Sequence, residues 1–138
     1  MATGTAGTQA RQFDWQAEHY LRKTINYNDS GIGTVDTVKV GILPANAFIS
    51  RVLVRVGTAF NAATTNVLTV GTNAGSDNNL VAANDVDEST TNTTDVTRGV
   101  GLSITADTTV YVRYTQTGTA ASAGVATIIV FYVPNNDL

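Results

Sequence analysis

Along most of this chain hydrophobic residues recur at every second position. The clearest case is "AFISRVLVRVGTAFN", residues 47–61. There Phe48, Val52, Val54 and Val56 fall on one side of an extended chain, and Ile49, Arg51, Leu53 and Arg55 on the other. Successive side chains of a strand point to opposite faces, so this spacing predicts a strand with one apolar and one mixed face, as in an antiparallel sandwich. "TVDTVKVGIL" sets Val38, Val40 and Ile42 against Thr37 and Lys39, and "DTTVYVRYTQ" sets Val110, Val112 and Tyr114 against Tyr111 and Arg113. "VATIIVFYVP" is apolar on both faces, which predicts a central strand ended by Pro134. Shorter strands are predicted in "RKTINYN", in "NVLTVGT", near Leu80 and Val81, and in "GVGLSITA", where Val100, Leu102 and Ile104 share a face. Residues 84–99 are polar and read as a solvated loop.

These runs amount to about eight short strands separated by turn residues, with neither βαβ spacing nor a helical period. The expectation is an all-β chain, an antiparallel β-sandwich with an eight-strand jelly roll as its architecture, over residues 21–138. Residues 1–20 read as an extended N-terminal arm. Its first dozen residues are small and polar and reach up to ~40 Å when extended. "FDWQAEHYL" then packs Phe13, Trp15 and Tyr20 closely in sequence as an aromatic anchor. Trp15, the single tryptophan, either plugs the core of its own domain or docks into a partner, since large aromatics are enriched at interface hot spots.

Composition narrows the function classes. Charged residues are 14% of the 138, well below the ~25% of ordinary globular proteins. There is no cysteine, so disulfides and thiolate metal sites are excluded. A net charge of −3 argues against a nucleic-acid binder, which needs a clustered basic face. No apolar run approaches the ~20 residues of a membrane-spanning helix. "MATGTAGTQARQ" lacks the apolar core of a signal peptide, which points to folding in a cytoplasm.

Catalytic and metal-binding constellations are scarce. His19 is the only histidine, and no G-x-S-x-G turn is present to carry a nucleophile. One histidine without cysteine does not make a zinc site. The carboxylates of "DVDE", Asp85, Asp87 and Glu88, suit a solvated loop, a calcium site or the acid–base pair of a glycosidase. The "DVDE" run lacks the glycine turn and distant glutamate of an EF-hand. "GIGT" at residues 31–34 lacks the third glycine and the lysine of a phosphate cradle and reads as a turn. The prediction is therefore a protein that is not an enzyme and carries no cofactor or metal. Arg51 and Arg55 share a strand face, and Arg113 lies on a mixed face elsewhere. They serve either as solvated charges that discourage edge-to-edge aggregation or as a patch for acidic residues of a partner.

The segment "GILPANAFISRVLVRVGTAFN" followed by "NVLTVGT" resembles small structural proteins of tailed-bacteriophage heads, in particular capsid decoration, or cement, proteins with jelly-roll folds. The resemblance covers about a quarter of the chain. It implies a virion protein on the outer surface of the capsid, assembled in the host cytoplasm. Its partners would be the major capsid protein and, as a dimer or trimer, itself. Phe13, Trp15 and Tyr20 would be anchors, and Arg51, Arg55 and Arg113 polar contacts. A second class stays open: a carbohydrate- or receptor-binding sandwich of a phage fibre or tail. Against it, the Asp/Asn-rich loops at 73–79 and 84–95 offer no aromatic for a sugar to stack on.

Overall fold

The structure, a computed structural model, describes residues 17–33, 37–73 and 78–135. Among them are seven strands and no helix: β1 (His19–Asn26), β2 (Val38–Leu43), β3 (Phe48–Thr58), β4 (Thr65–Gly71), β5 (Asn92–Val96), β6 (Thr108–Thr117) and β7 (Val125–Val133). They form two antiparallel sheets, one in the order β1-β7-β3-β5 and the other β2-β6-β4. Odd-numbered strands build the first sheet and even-numbered strands the second, so each connection crosses the sandwich and no two consecutive strands pair. β7, the strand apolar on both faces, lies between β1 and β3 as its composition predicts.

The core fills the space between the sheets. From the first sheet come Ile25, Val52, Val54, Val56, Val96, Ala126, Ile128 and Val130; from the second come Leu43, Leu68, Val70, Val110, Val112 and Tyr114. Loop residue Phe60 closes one end, its ring 4.4 Å from that of Tyr114. Gly124 lies against that ring at φ 149°, and a Cβ there would sit 2.2 Å from Phe60 Cδ1. The Tyr114 hydroxyl donates to Asn66 Oδ1 at 2.6 Å, which lets a tyrosine occupy the core. Burial pushes that phenol up to about 12.

Four expectations are corrected. First, Phe48 does not share a face with Val52. The pairing of β3 with β7 shifts between Ile49 and Arg51, so Ser50 is an extra residue. A bulge of this kind reverses the facing of everything before it. Ile49 is therefore buried and Phe48 exposed. Second, β2 shifts in the same way between Lys39 and Gly41. Leu43, not Ile42, enters the core. Third, residues 84–99 are not wholly a solvated loop. Asn92–Val96 is an edge strand, and Val86 and Glu88 are buried. Fourth, the predicted strands near Leu80 and in 99–106 are reduced to isolated bridges, Val70 with Val81 and Phe48 with Ser103, so seven strands stand where eight were expected. Val100 is exposed in a turn.

Segment 79–88 nevertheless has a defined place along the free edge of β4. Leu68 N–H donates to Glu88 Oε1 at 2.7 Å, Val70 N–H to the Val81 carbonyl at 3.0 Å, and Thr72 N–H to Asn79 Oδ1 at 2.9 Å. Residues 68, 70 and 72 alternate, so these are the groups a lone edge strand turns outward.

Candidate functional site

The register of the first sheet places its outward side chains in rows. Tyr20, Phe131 and Arg51 form one row across β1, β7 and β3. Arg22, Ile129, Leu53 and Asp95 form the next, which extends onto β5. Thr24, Thr127, Arg55 and Thr93 follow, with Thr24 and Thr127 hydroxyls 2.9 Å apart. Phe48 and Val133 pair beyond the first row. Tyr20 is 61% exposed, Phe48 56% and Val133 42%. The Tyr20 and Phe131 rings lie 6.2 Å apart, and the Arg51 guanidinium carbon stands 5.9 Å over the Phe131 ring. Arg51 Nε also reaches Asp95 Oδ2 at 3.1 Å. Tyr20, Arg22, Ile129 and Phe131 line a shallow hollow of about 240 Å3. This outer face is thus an apolar, aromatic stripe bordered by arginines.

The outer face of the second sheet is different. Its rows bring together Val67 with Thr115, Thr69 with Arg113, and Lys39 with Tyr111. Hydroxyl groups predominate, and no aromatic pair forms there among the described residues.

The predicted partner-binding residues divide accordingly. Tyr20, Arg51 and Arg55 come together on the first sheet. Arg113 lies on β6 of the second sheet, on the far side of the sandwich, and does not join them. Phe13 and Trp15 lie outside the described residues. His19 stacks on Tyr132, the centroids 5.8 Å apart.

The carboxylates of "DVDE" take three separate structural roles. Asp85 accepts two hydrogen bonds from Arg98, at 2.7 and 3.0 Å, and one from Ala82 N–H at 2.9 Å; the guanidinium holds it below the usual carboxylate range. Asp87 accepts from Ser89 N–H and the Thr90 hydroxyl. Glu88 is buried beside β4, and burial raises its pKa against the opposing pull of the Leu68 N–H. Among the described residues no three such groups converge on a common point.

No protein-family model matches this sequence, and no curated protein matches it. The fold, by contrast, has clear likenesses. A chain of the cyanophage Pam1 capsid asymmetric unit superposes with a TM-score of 0.67 at 23% identity, over 85% of this chain and 84% of that one. A chain of the acidic stable capsid of Helicobacter pylori bacteriophage KHP30 gives 0.60 at 15% identity, over 85% and 87%. One from the capsid of Ralstonia phage GP4 gives 0.57 at 21%, over 88% and 86%. The fold is one found in phage capsids.

Sequence reasoning missed Arg22, Ile129, Phe131, Phe48 and Val133 as members of the exposed face, while Leu53 lies with Arg51 and Arg55 as the alternation predicts. One signal was present. A central strand apolar on both faces, at the middle of a sheet with a solvent side, must turn apolar side chains outward. In β7 these are Ile129, Phe131 and Val133.

Proposed function

We propose that this protein is a structural component of the virion that binds the outside of a tailed-phage capsid and stabilises contacts between major capsid protein subunits. The observation that carries this reading is the likeness of the fold, along most of its length, to chains of three phage capsids. The exposed aromatic and arginine face of the first sheet, with the structural use of Asp85, Asp87 and Glu88, supports a binding rather than a catalytic role. In the same reading the fold is a jelly roll whose eighth strand has shrunk to the Val70–Val81 bridge. Phe13 and Trp15 anchor the arm to the shell or to a sister subunit in a dimer or trimer. Tyr20, Arg51 and Arg55 contribute from the sheet. Arg113 is the weakest member of the set because it faces away from them. Each contact can be weak, because many copies act together on one lattice.

Co-sedimentation tests this directly. Purified protein is mixed with particles lacking it, and bound copies are counted. Saturation at a fixed copy number, with a higher melting temperature of the particle, is the expected result. A folded protein that never binds shells but retains a glycan on an array would replace this reading with the recognition-module one. Deleting residues 1–16, which precede every described strand, should leave a folded domain that no longer binds; retained binding removes the arm from the proposal.

A further inference from the structure

We infer that the outer face of β1, β7 and β3 docks onto a surface of a different protein in which apolar side chains are flanked by carboxylates, and not onto a second copy of itself. The inference rests on the capsid reading for the identity of that protein. Its chemistry comes from the face alone.

Charge decides between the occupants. Three guanidinium groups, Arg22, Arg51 and Arg55, stand in consecutive rows. Among the described residues two carboxylates border them: Asp95 in the second row, and Glu18, two residues before Tyr20, whose carboxylate accepts from the Ser50 hydroxyl beside Arg51. The face therefore keeps a cationic excess. The whole chain is net acidic at −3, so the face runs against the sign of the molecule. Asp95 is taken by Arg51. Arg22 and Arg55 have no ion pair among the described residues. A two-fold dimer through this face would set the same cationic excess against itself, since such an interface is made of one patch meeting its own copy. Like charges so juxtaposed are penalised, whereas a carboxylate-bearing surface is attracted and steered. Arginine suits the task because its planar fork meets a carboxylate with two parallel bonds and its face lies on aromatic rings, as Arg51 lies on Phe131.

The dimensions fit a partial contact. Four rows extend ~20 Å along the strands and three strands ~10 Å across. That is a fraction of the ~800 Å2 per partner of a stable pairwise interface. Binding through this face alone is therefore weak and salt-sensitive, and it depends on repetition.

The test uses full-length protein and shells lacking it. Three proteins are compared: the wild type, the double variant Arg22→Glu/Arg55→Glu, and Lys39→Glu on the outer face of the second sheet. All three sites are exposed, and matching melting temperatures establish that each variant folds. The double variant should lose about tenfold or more in affinity, Lys39→Glu should bind as the wild type does, and wild-type binding should fall as salt rises. If the wild type binds and the double variant binds equally well, the capsid reading stands and this inference is overturned. If the wild type does not bind shells at all, the capsid reading fails. A fluorescent alternating glutamate–leucine peptide of about fourteen residues then tests the face on its own. Binding at low salt that the double variant lacks retains the inference, and no binding overturns it. A wild-type oligomer that dissociates on Tyr20→Ala would assign the face to a second copy and overturn it as well.

Discussion

Replacing Glu88 by alanine removes the acceptor from Leu68 N–H and leaves that group buried, which should cost about 1–3 kcal/mol in urea unfolding. The pH dependence has a definite sign. Glu88 titrates above 4.5 in the fold, so the native state holds this proton more tightly than the unfolded chain. Stability from this group therefore rises as pH falls through the native value, and is lost again as pH climbs above it. Asp85 is the opposite case. Its native pKa lies below 3.8, so its contribution is present above that value and disappears as pH falls through the native one. Urea midpoints measured from neutral pH downward should show the gain before the loss, and Glu88→Gln should abolish the gain alone. Gly124→Ala is a second residue-scale prediction. At φ 149° and with Phe60 in the way, it should lower stability by about 1–3 kcal/mol in the same assay. Neither role was legible beforehand. Glu88 looked like its neighbours in "DVDE", and only the position of β4 beside it makes it different. Arg51 and Arg55 were legible as a pair, because two positions separated by an even number within one unbroken strand must share a face.

The bulges are where alternation failed. An extra Ser50 leaves the pattern on both sides of it unchanged and alters only the phase between them, so nothing in composition reveals it. The consequence is a reversed sensitivity at adjacent positions. Ile49→Ala should cost about 2–5 kcal/mol, as deletions from a packed core do. Phe48→Ala, the larger truncation, should stay within about 0.5 kcal/mol because its ring is exposed. Thermal melts of the two variants distinguish the bulged strand from a regular one, in which Phe48 would be the costly site. β5 escaped prediction for a different reason. "NTTDV" has only Val96 to bury, and pairing with β3, not its own pattern, makes it a strand. The face assembled by Tyr20, Phe131 and Arg51 was out of reach for the same reason. It depends on the register of three strands that are far apart in sequence.

At the scale of the molecule, the odd–even division of strands between sheets means that every ladder closes a long loop. His19 pairs with Tyr132, and Val38 with Val112. Folding governed by such non-local pairing is slow, in the ms–s range for domains of this class. Stopped-flow refolding should show it, with no fast phase from local hairpins. The two sheets also present different chemistry to their surroundings. Because the chain has no native cysteine, Thr24→Cys and Lys39→Cys give single labelling sites on opposite sides. On bound particles the first should become shielded from a maleimide reagent while the second stays reactive. The sandwich class and the central place of β7 were legible, because both follow from local pattern. The pairing partners of the remaining strands were not. That central place has a further effect. During synthesis β1, β3 and β5 emerge first and wait without the strand that joins β1 to β3, since β7 is the last of the seven to be made. A chain broken off anywhere before residue 125 leaves β1 and β3 with no shared partner and the aromatic row unassembled. Assembly of the outer face therefore waits on β7, and a copy broken off ahead of that strand would have no formed surface with which to take a place among intact ones.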